Sequence, residues 1–205
     1  MSTYLELVNS VIINKKNRLI SCDPSLQIVG IGRSAFVFRV KSSNKAIKVF
    51  FPDFAYIARE EAEIYTSLED IQYFPSIYET GLNYVVMDYI EGDTLFECIT
   101  QGKMITVDHI KEIDHALLLA SKRGLNPSDI HLRNIIITPD DEIKLIDVAR
   151  YRQIKDCRQW SDLKNAYCQF YRKYFFMKKV PSSLLNTVAF LYKKGLILSY
   201  RSYRL

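Results

Sequence analysis

The 205-residue chain is 48% hydrophobic and 25% charged with only seven Gly and six Pro, so it is neither collagen-like nor low in complexity, and it is too apolar for disorder. Its length predicts one large domain or two small lobes, and no apolar run reaches the roughly 18–20 residues of a membrane-spanning helix. Charge is distributed unevenly: residues 1–147 carry 15 Lys/Arg against 21 Asp/Glu, a net −6, whereas residues 148–205 carry 13 Lys/Arg against Asp156 and Asp162, a net +11. The basic end suits an acidic partner or nucleic acid, although no nucleic-acid motif accompanies it; otherwise the two ends neutralise each other in the fold. Residues 1–6 lack the basic and apolar regions of a secretory signal. Cys22, Cys98, Cys157 and Cys168 are scattered without a C-x-x-C pair, which argues against a zinc site or disulfide framework and suggests a cytoplasmic protein with reduced thiols.

In chain order, residues 3–13 suit a short helix. Ile28-Val29, Phe36-Val37-Phe38-Arg39-Val40 and Ala46-Ile47-Lys48-Val49-Phe50 read as three strands, the last two joined by the turn formers Ser42-Ser43-Asn44-Lys45. Residues 55–69 switch to helical period, with Ala58, Ala62, Tyr65 and Leu68 on one face. Strands follow around Ile77-Tyr78-Glu79 and Tyr84-Val85-Val86-Met87, then helices near 94–100 and 106–123, the second ended by Gly124. A hairpin is expected from Ile135-Ile136-Ile137, the Pro139-Asp140-Asp141 turn and Ile143-Lys144-Leu145-Ile146. Beyond about 157 the chain reads as helical, with the aromatic stretch 167–176 as an amphipathic helix and Pro181-Ser182-Ser183 opening the last one. A strand-rich part, 1–87, therefore precedes a helix-rich part, 88–205.

Three groups of residues carry chemistry. Gly30-Ile31-Gly32-Arg33-Ser34-Ala35-Phe36-Val37 lies between two strands, where backbone N–H groups without a Cβ nearby can approach a phosphate. A strand follows the glycines, so this is no Rossmann turn, and it lacks the Gly-Lys-Ser/Thr of a Walker A loop. Lys48 sits in the apolar strand Ala46-Ile47-Lys48-Val49 and needs an anionic partner if buried; Glu61 is preferred and Glu60 comes next. Finally, Asp129 and Asn134 stand five apart in a loop and Asp147 follows the hairpin. A loop Asp can accept a hydroxyl proton, while an Asn oxygen and a carboxylate can share Mg²⁺.

Taken in this order, these elements resemble a protein kinase-like superfamily pattern, most closely the small atypical bacterial serine/threonine-kinase-like proteins, with similarity to the RIO and Bud32-like groups. The resemblance implies an α+β, two-lobed fold with an antiparallel-sheet N-lobe (1–87) and a reduced helical C-lobe (88–205). It implies transfer of the ATP γ-phosphoryl to a hydroxyl, with Ser/Thr of a protein as the leading acceptor. Gly30, Gly32, Val37, Ala46, Lys48, Glu61, Met87 (the gatekeeper position), Asp88 and Ile90 would contact or support the nucleotide. Asn134 and Asp147 would hold Mg²⁺. Asp129, Lys48 and Asn134 would serve catalysis.

Departures from the pattern matter too. Ala35 replaces the third glycine of the loop, Pro127-Ser128 stand where regulated kinases have His-Arg, and Asp147-Val148-Ala149 replaces Asp-Phe-Gly. Trp160-Ser161-Asp162-Leu163 resembles the start of the helix whose Asp anchors the catalytic loop, and Asp162 comes only fifteen residues after Asp147, too soon for an extended activation segment. Asp129-Ile130-His131 resembles the Asp-Leu-His of aminoglycoside and choline kinases, which keeps a small-molecule kinase as an alternative, beside an ATPase switch in an assembly or an ATP-binding pseudokinase.

Overall fold

The computed structural model describes residues 3–173 and 177–196; Tyr174, Phe175 and Phe176 of the aromatic stretch, and residues 197–205 of the basic end, lie outside them. The chain divides into two compact units, Met1–Ile90 and Glu91–Leu205.

The first unit is built on five antiparallel strands in the order β3-β4-β5-β7-β6: β3 Leu26–Ile31, β4 Ala35–Val40, β5 Lys45–Phe50, β6 Ile77–Thr80 and β7 Tyr84–Asp88. Alternation along the strands separates two faces. Phe36, Phe38, Val40, Ile47, Val49, Tyr84 and Val86 form one buried core with Val8 of helix α1 (Thr3–Ser10). The opposite face is set by the pairings Gly30↔Val37, Val37↔Lys48, Lys48↔Val85 and Ala46↔Met87. Helix α2 (Tyr56–Ser67) buries Ala58, Glu61, Ala62 and Tyr65, in agreement with the face read from their spacing. Helix α1 is shorter than expected. It stops at Ser10, and Ile12–Ile13 (β1) pairs with Leu19–Ser21 (β2) around Asn17, whose φ is +54°. Asn14 directs this turn, its Oδ1 accepting the N–H groups of Lys16 and Arg18 at 2.8 and 3.0 Å.

In the second unit, β9 (Ile135–Ile137) and β10 (Ile143–Leu145) form the expected hairpin, and the two-residue strand β8 (Asp93–Thr94) joins its edge beside β9. Gly92 makes that junction feasible. Its φ is +146°, and a Cβ there would lie 2.3 Å from the Ile137 carbonyl oxygen. Helix α3 (Leu95–Gln101) begins with a Thr94–Glu97 capping box and α4 (Val107–Lys122) with a Thr106–His109 box. In the latter, His109 Nδ1 accepts from the Thr106 N–H at 3.2 Å, so the ring proton sits on Nε2, 2.9 Å from Asp141 Oδ1 at the hairpin turn. Beyond 157 helices follow as expected, one of them opening after Pro181, but the aromatic stretch changes pitch. Helix α5 (Gln159–Ala166) widens into a π-turn over Tyr167–Tyr171, and α6 (Ser182–Lys193) follows separately. The widening serves two stacked tyrosines: Tyr167 donates to the Ile105 carbonyl at 3.1 Å, and Tyr171 donates to the Lys103 carbonyl at 3.1 Å while accepting from the Ile105 N–H at 3.2 Å. Among the described residues no helix is long and apolar enough to cross a membrane.

Candidate active site

In the first unit, the register places Val37, Ala46, Lys48 and Met87 on one face of the sheet, the face opposite α1. Lys48 is buried, and its Nζ lies 2.7 Å from both carboxylate oxygens of Glu61, which is itself fully buried. Hence the ammonium inside an apolar strand is neutralised by a bidentate partner one helix away, as its burial requires. The Phe50 ring, 5.3 Å from Nζ, adds a weak cation–π contact. Glu60 is only half-buried, on a different face of α2.

The glycine loop is a tight hairpin closed by the Gly32 N–H donating to the Ala35 carbonyl at 2.9 Å. Neither Gly30 nor Gly32 has positive φ, and a Cβ on either would meet neighbours only at ordinary contact, 3.4–3.5 Å. The fold itself therefore does not require glycine at these two positions. What their lack of a side chain provides is an accessible backbone, the property a phosphate-binding loop uses. Ala35 keeps negative φ and is buried, so replacing a glycine there costs no backbone strain.

Asp88, at the end of β7, is held by three donors: Tyr78 Oη at 2.7 Å, the Ser76 N–H at 3.0 Å and Lys45 Nζ at 3.1 Å. Burial works against its charge, but these hydrogen bonds prevail and keep the carboxyl below the usual range. Its own N–H donates to the Ser76 carbonyl at 3.1 Å. Ile90 follows at the very end of the first unit.

In the second unit, local hydrogen bonds draw Asp129, Asn134 and Asp147 together. Asn134 Nδ2 donates to the Asp129 carbonyl at 3.1 Å, and the Ile146 N–H donates to the Asn134 carbonyl at 2.9 Å, which brings Asp147 beside that loop. Asp129 and Asp147 both adopt left-handed backbone, φ +60° and +61°, a conformation that Asp tolerates better than most residues and that often marks functional sites. Ser128 is fully buried, its hydroxyl donating to the Asn126 carbonyl at 2.9 Å, so the position where regulated kinases carry arginine is structural here. His131 Nδ1 accepts from the Arg133 N–H at 3.3 Å, and burial pushes its pKa down against the opposing pull of Asp129 and Asp147.

Two contacts in this unit went unread in the sequence. Arg150 Nε lies 3.4 Å from Asp129 Oδ2, and Arg133 both donates to Asn186 Oδ1 of α6 at 2.8 Å and stacks over Phe96. A cation three residues beyond Asp147, the candidate metal ligand, was the only available signal for the first. Asp162 accepts from Tyr192 Oη of α6 at 2.7 Å, while Trp160 Nε1 and Lys164 Nζ bind Asp114 of α4 at 2.7 and 3.0 Å and thereby dock α5.

Asn134 presents an amide oxygen and Asp147 a carboxylate, both hard donors suited to Mg²⁺. Among the described residues no cluster of three or more His, Cys, Asp or Glu forms. Two oxygen ligands without a full protein cage fit Mg²⁺, which is commonly completed by substrate phosphates and water.

An antiparallel five-stranded sheet with a buried Lys–Glu pair, followed by a loop carrying Asp and Asn ahead of a hairpin-borne Asp, defines a protein-kinase-like fold of class α+β. No family model matches the chain. It is 43% identical over 200 residues to a Bacillus subtilis (strain 168) protein, YrzF, whose name provisionally assigns it as a serine/threonine-protein kinase; the match covers 95% of this chain and 93% of that one. A Clostridium acetobutylicum protein, also provisionally named a serine/threonine-protein kinase, is 31% identical over 58% of this chain and 21% of its own. The 3-phosphoinositide-dependent protein kinase 1 of Arabidopsis thaliana is 26% identical over 63% of this chain and 30% of its own. The chain belongs to the serine/threonine-protein-kinase-like family of phosphotransferases.

Proposed function

We propose that this protein transfers the γ-phosphoryl group of ATP, with Mg²⁺, to a Ser or Thr hydroxyl of a protein, acting in the cytoplasm. The observation that carries the reading is the buried Lys48–Glu61 pair, both contacts at 2.7 Å, on the sheet face shared by Val37, Ala46 and Met87. Such a pair is an expensive arrangement for stability alone, and phosphoryl transfer uses it to aim an ammonium at the α- and β-phosphates.

The first unit would work as N-lobe and the second as C-lobe, with residues 88–90 at the end of the first as the hinge segment. Gly30 and Gly32 would offer backbone N–H groups to the phosphates. Val37, Ala46 and Met87 would flank the adenine, and the Asp88 carbonyl and Ile90 N–H would bind its edge. Asn134 and Asp147 would hold Mg²⁺, which when bound offsets charge on the phosphate oxygens. The carboxylate of Asp129 would orient the acceptor hydroxyl and take its proton as the new O–P bond forms and the bond to the ADP leaving oxygen breaks. Asn134 Nδ2 steadies that loop through the Asp129 carbonyl. The chemistry then rests on positioning and charge. Four free cysteines are consistent with a reducing compartment.

The test is a thermal melt with excess Mg·ATP. A ligand binding only the folded state at a hundred times its Kd adds about 2.7 kcal/mol, so the Tm of the wild type should rise while that of Lys48→Met or Asp147→Asn should not. No rise in the wild type sinks the reading. Following radiolabel from ATP into protein, small alcohols or free phosphate separates the protein-kinase reading from its alternatives.

A further inference from the structure

Between Asp147 and α5 the chain carries four cations, Arg150, Arg152, Lys155 and Arg158, against the single carboxylate Asp156, and all of these side chains are exposed. The segment is nevertheless firmly seated. Tyr151 is fully buried beneath it. Asn126, three residues before Asp129, donates its backbone N–H to the Tyr151 carbonyl at 2.6 Å and its Nδ2 to the carbonyls of Gln153 and Lys155 at 2.8 and 3.3 Å. The loop bearing Asp129 thus fixes the position of these cations, and one of them, Arg150, reaches the Asp129 carboxylate at 3.4 Å while remaining half exposed.

An acceptor that brings a hydroxyl to Asp129 meets Arg150 there, and the rest of the segment is tied to the same loop through Asn126. Cations on a pinned backbone lose little further freedom on pairing, and guanidinium groups match carboxylates in geometry as well as charge. A basic acceptor would meet like charge, which discriminates against it. We propose that residues 150–158 form an acceptor-recognition surface selective for Ser/Thr peptides with acidic residues flanking the hydroxyl, Arg150 exchanging Asp129 for an acceptor carboxylate. This rests on the role of Asp129 given above and adds the acceptor class.

The experiment measures fluorescence anisotropy of labelled Ser peptides flanked by Glu, by Gln or by Lys, with single-stranded RNA as a fourth probe, across a salt series. The wild type should bind the Glu peptide at least tenfold more tightly than the Gln peptide, with the advantage shrinking as salt shortens the Debye length from about 10 Å at 0.1 M to about 3 Å at 1 M. The triple variant Arg152→Glu/Lys155→Glu/Arg158→Glu should reverse the Glu-over-Lys ranking and keep the Mg·ATP thermal shift; Lys155→Glu alone, at an exposed site, should weaken the ranking if the triple variant does not fold. Equal or undetectable binding of the three peptides, an unchanged ranking in both variants, or binding of RNA alone overturns the proposal. Phosphorylation assayed in parallel separates the two readings. Glu-peptide binding without any phosphoryl transfer removes the kinase reading but not the surface. Equal kcat/KM for all three peptides removes the surface but not the kinase.

Discussion

Replacing Glu61 tests how deeply the first unit depends on one ion pair. Glu61 is fully buried and Lys48 is 8% exposed, and both carboxylate oxygens sit 2.7 Å from the ammonium. Glu61→Ala leaves an ammonium buried without this partner, a change that costs about 3–5 kcal/mol. At about 2–4 °C per kcal/mol for a chain of this size, the Tm should fall by about 6–20 °C. Glu61→Gln keeps the shape and some hydrogen bonding, so its loss should be smaller, about 1.5–3 kcal/mol for a bond to a charged group. The double variant Lys48→Met/Glu61→Leu removes both charges and fills similar volume, and should recover to within about 1–2 kcal/mol of wild type or exceed it. Urea denaturation of the four proteins, with slopes compared to confirm that the same surface unfolds, supplies the comparison. A double variant as unstable as Glu61→Ala would refute the reasoning, because the penalty would then come from lost packing rather than from a stranded charge.

Asp129→Asn should retain the Mg·ATP thermal shift while turnover falls by roughly 10²–10⁴-fold, the usual worth of a positioned base; unchanged turnover in single-turnover assays would exclude that role. Gly92→Ala should cost at least about 1–3 kcal/mol, since φ is +146° and the new Cβ would press on the Ile137 carbonyl, as read from the urea midpoint. His109→Ala removes the reciprocal half of the α4 capping box, the Thr106 N–H bond to Nδ1, together with the link to Asp141, for a loss of about 1–2 kcal/mol by the same measurement. The Asp88 carboxyl is held below its ordinary value when folded, so it contributes stability above the unfolded pKa and loses it as pH falls through the folded one. The urea midpoint of wild type should therefore fall more steeply than that of Asp88→Asn on acidification below about pH 4, the ordinary carboxylate range; parallel curves would show that the three donors do not favour the charged form.

Much of this protein could be read from local pattern alone. The strands at 36–40 and 46–50 were legible as runs rich in β-branched and aromatic residues on either side of the turn formers 42–45. The 55–69 helix was legible from the spacing of Ala58, Ala62, Tyr65 and Leu68, and an anionic partner for Lys48 followed from the cost of burying a lone ammonium. The order and spacing of Asp129, Asn134 and Asp147 were visible as a motif. Other features were decided only by tertiary structure. Strands of two residues, β1 and β8, carry no periodicity, and they exist because Asn14 organises a turn and because Gly92 lets the chain approach β9. The π-turn at Tyr167–Tyr171 answers to acceptors some 60 residues earlier, at Lys103 and Ile105. Likewise the seating of 150–158 on Asn126, and the contact of Arg150 with Asp129, join residues 21 to 29 positions apart. Nearest-neighbour preferences determine a strand or a cap at the scale of a few residues, whereas a side chain that hydrogen-bonds a distant carbonyl acquires its partner only when the buried core closes and removes water as the competing acceptor.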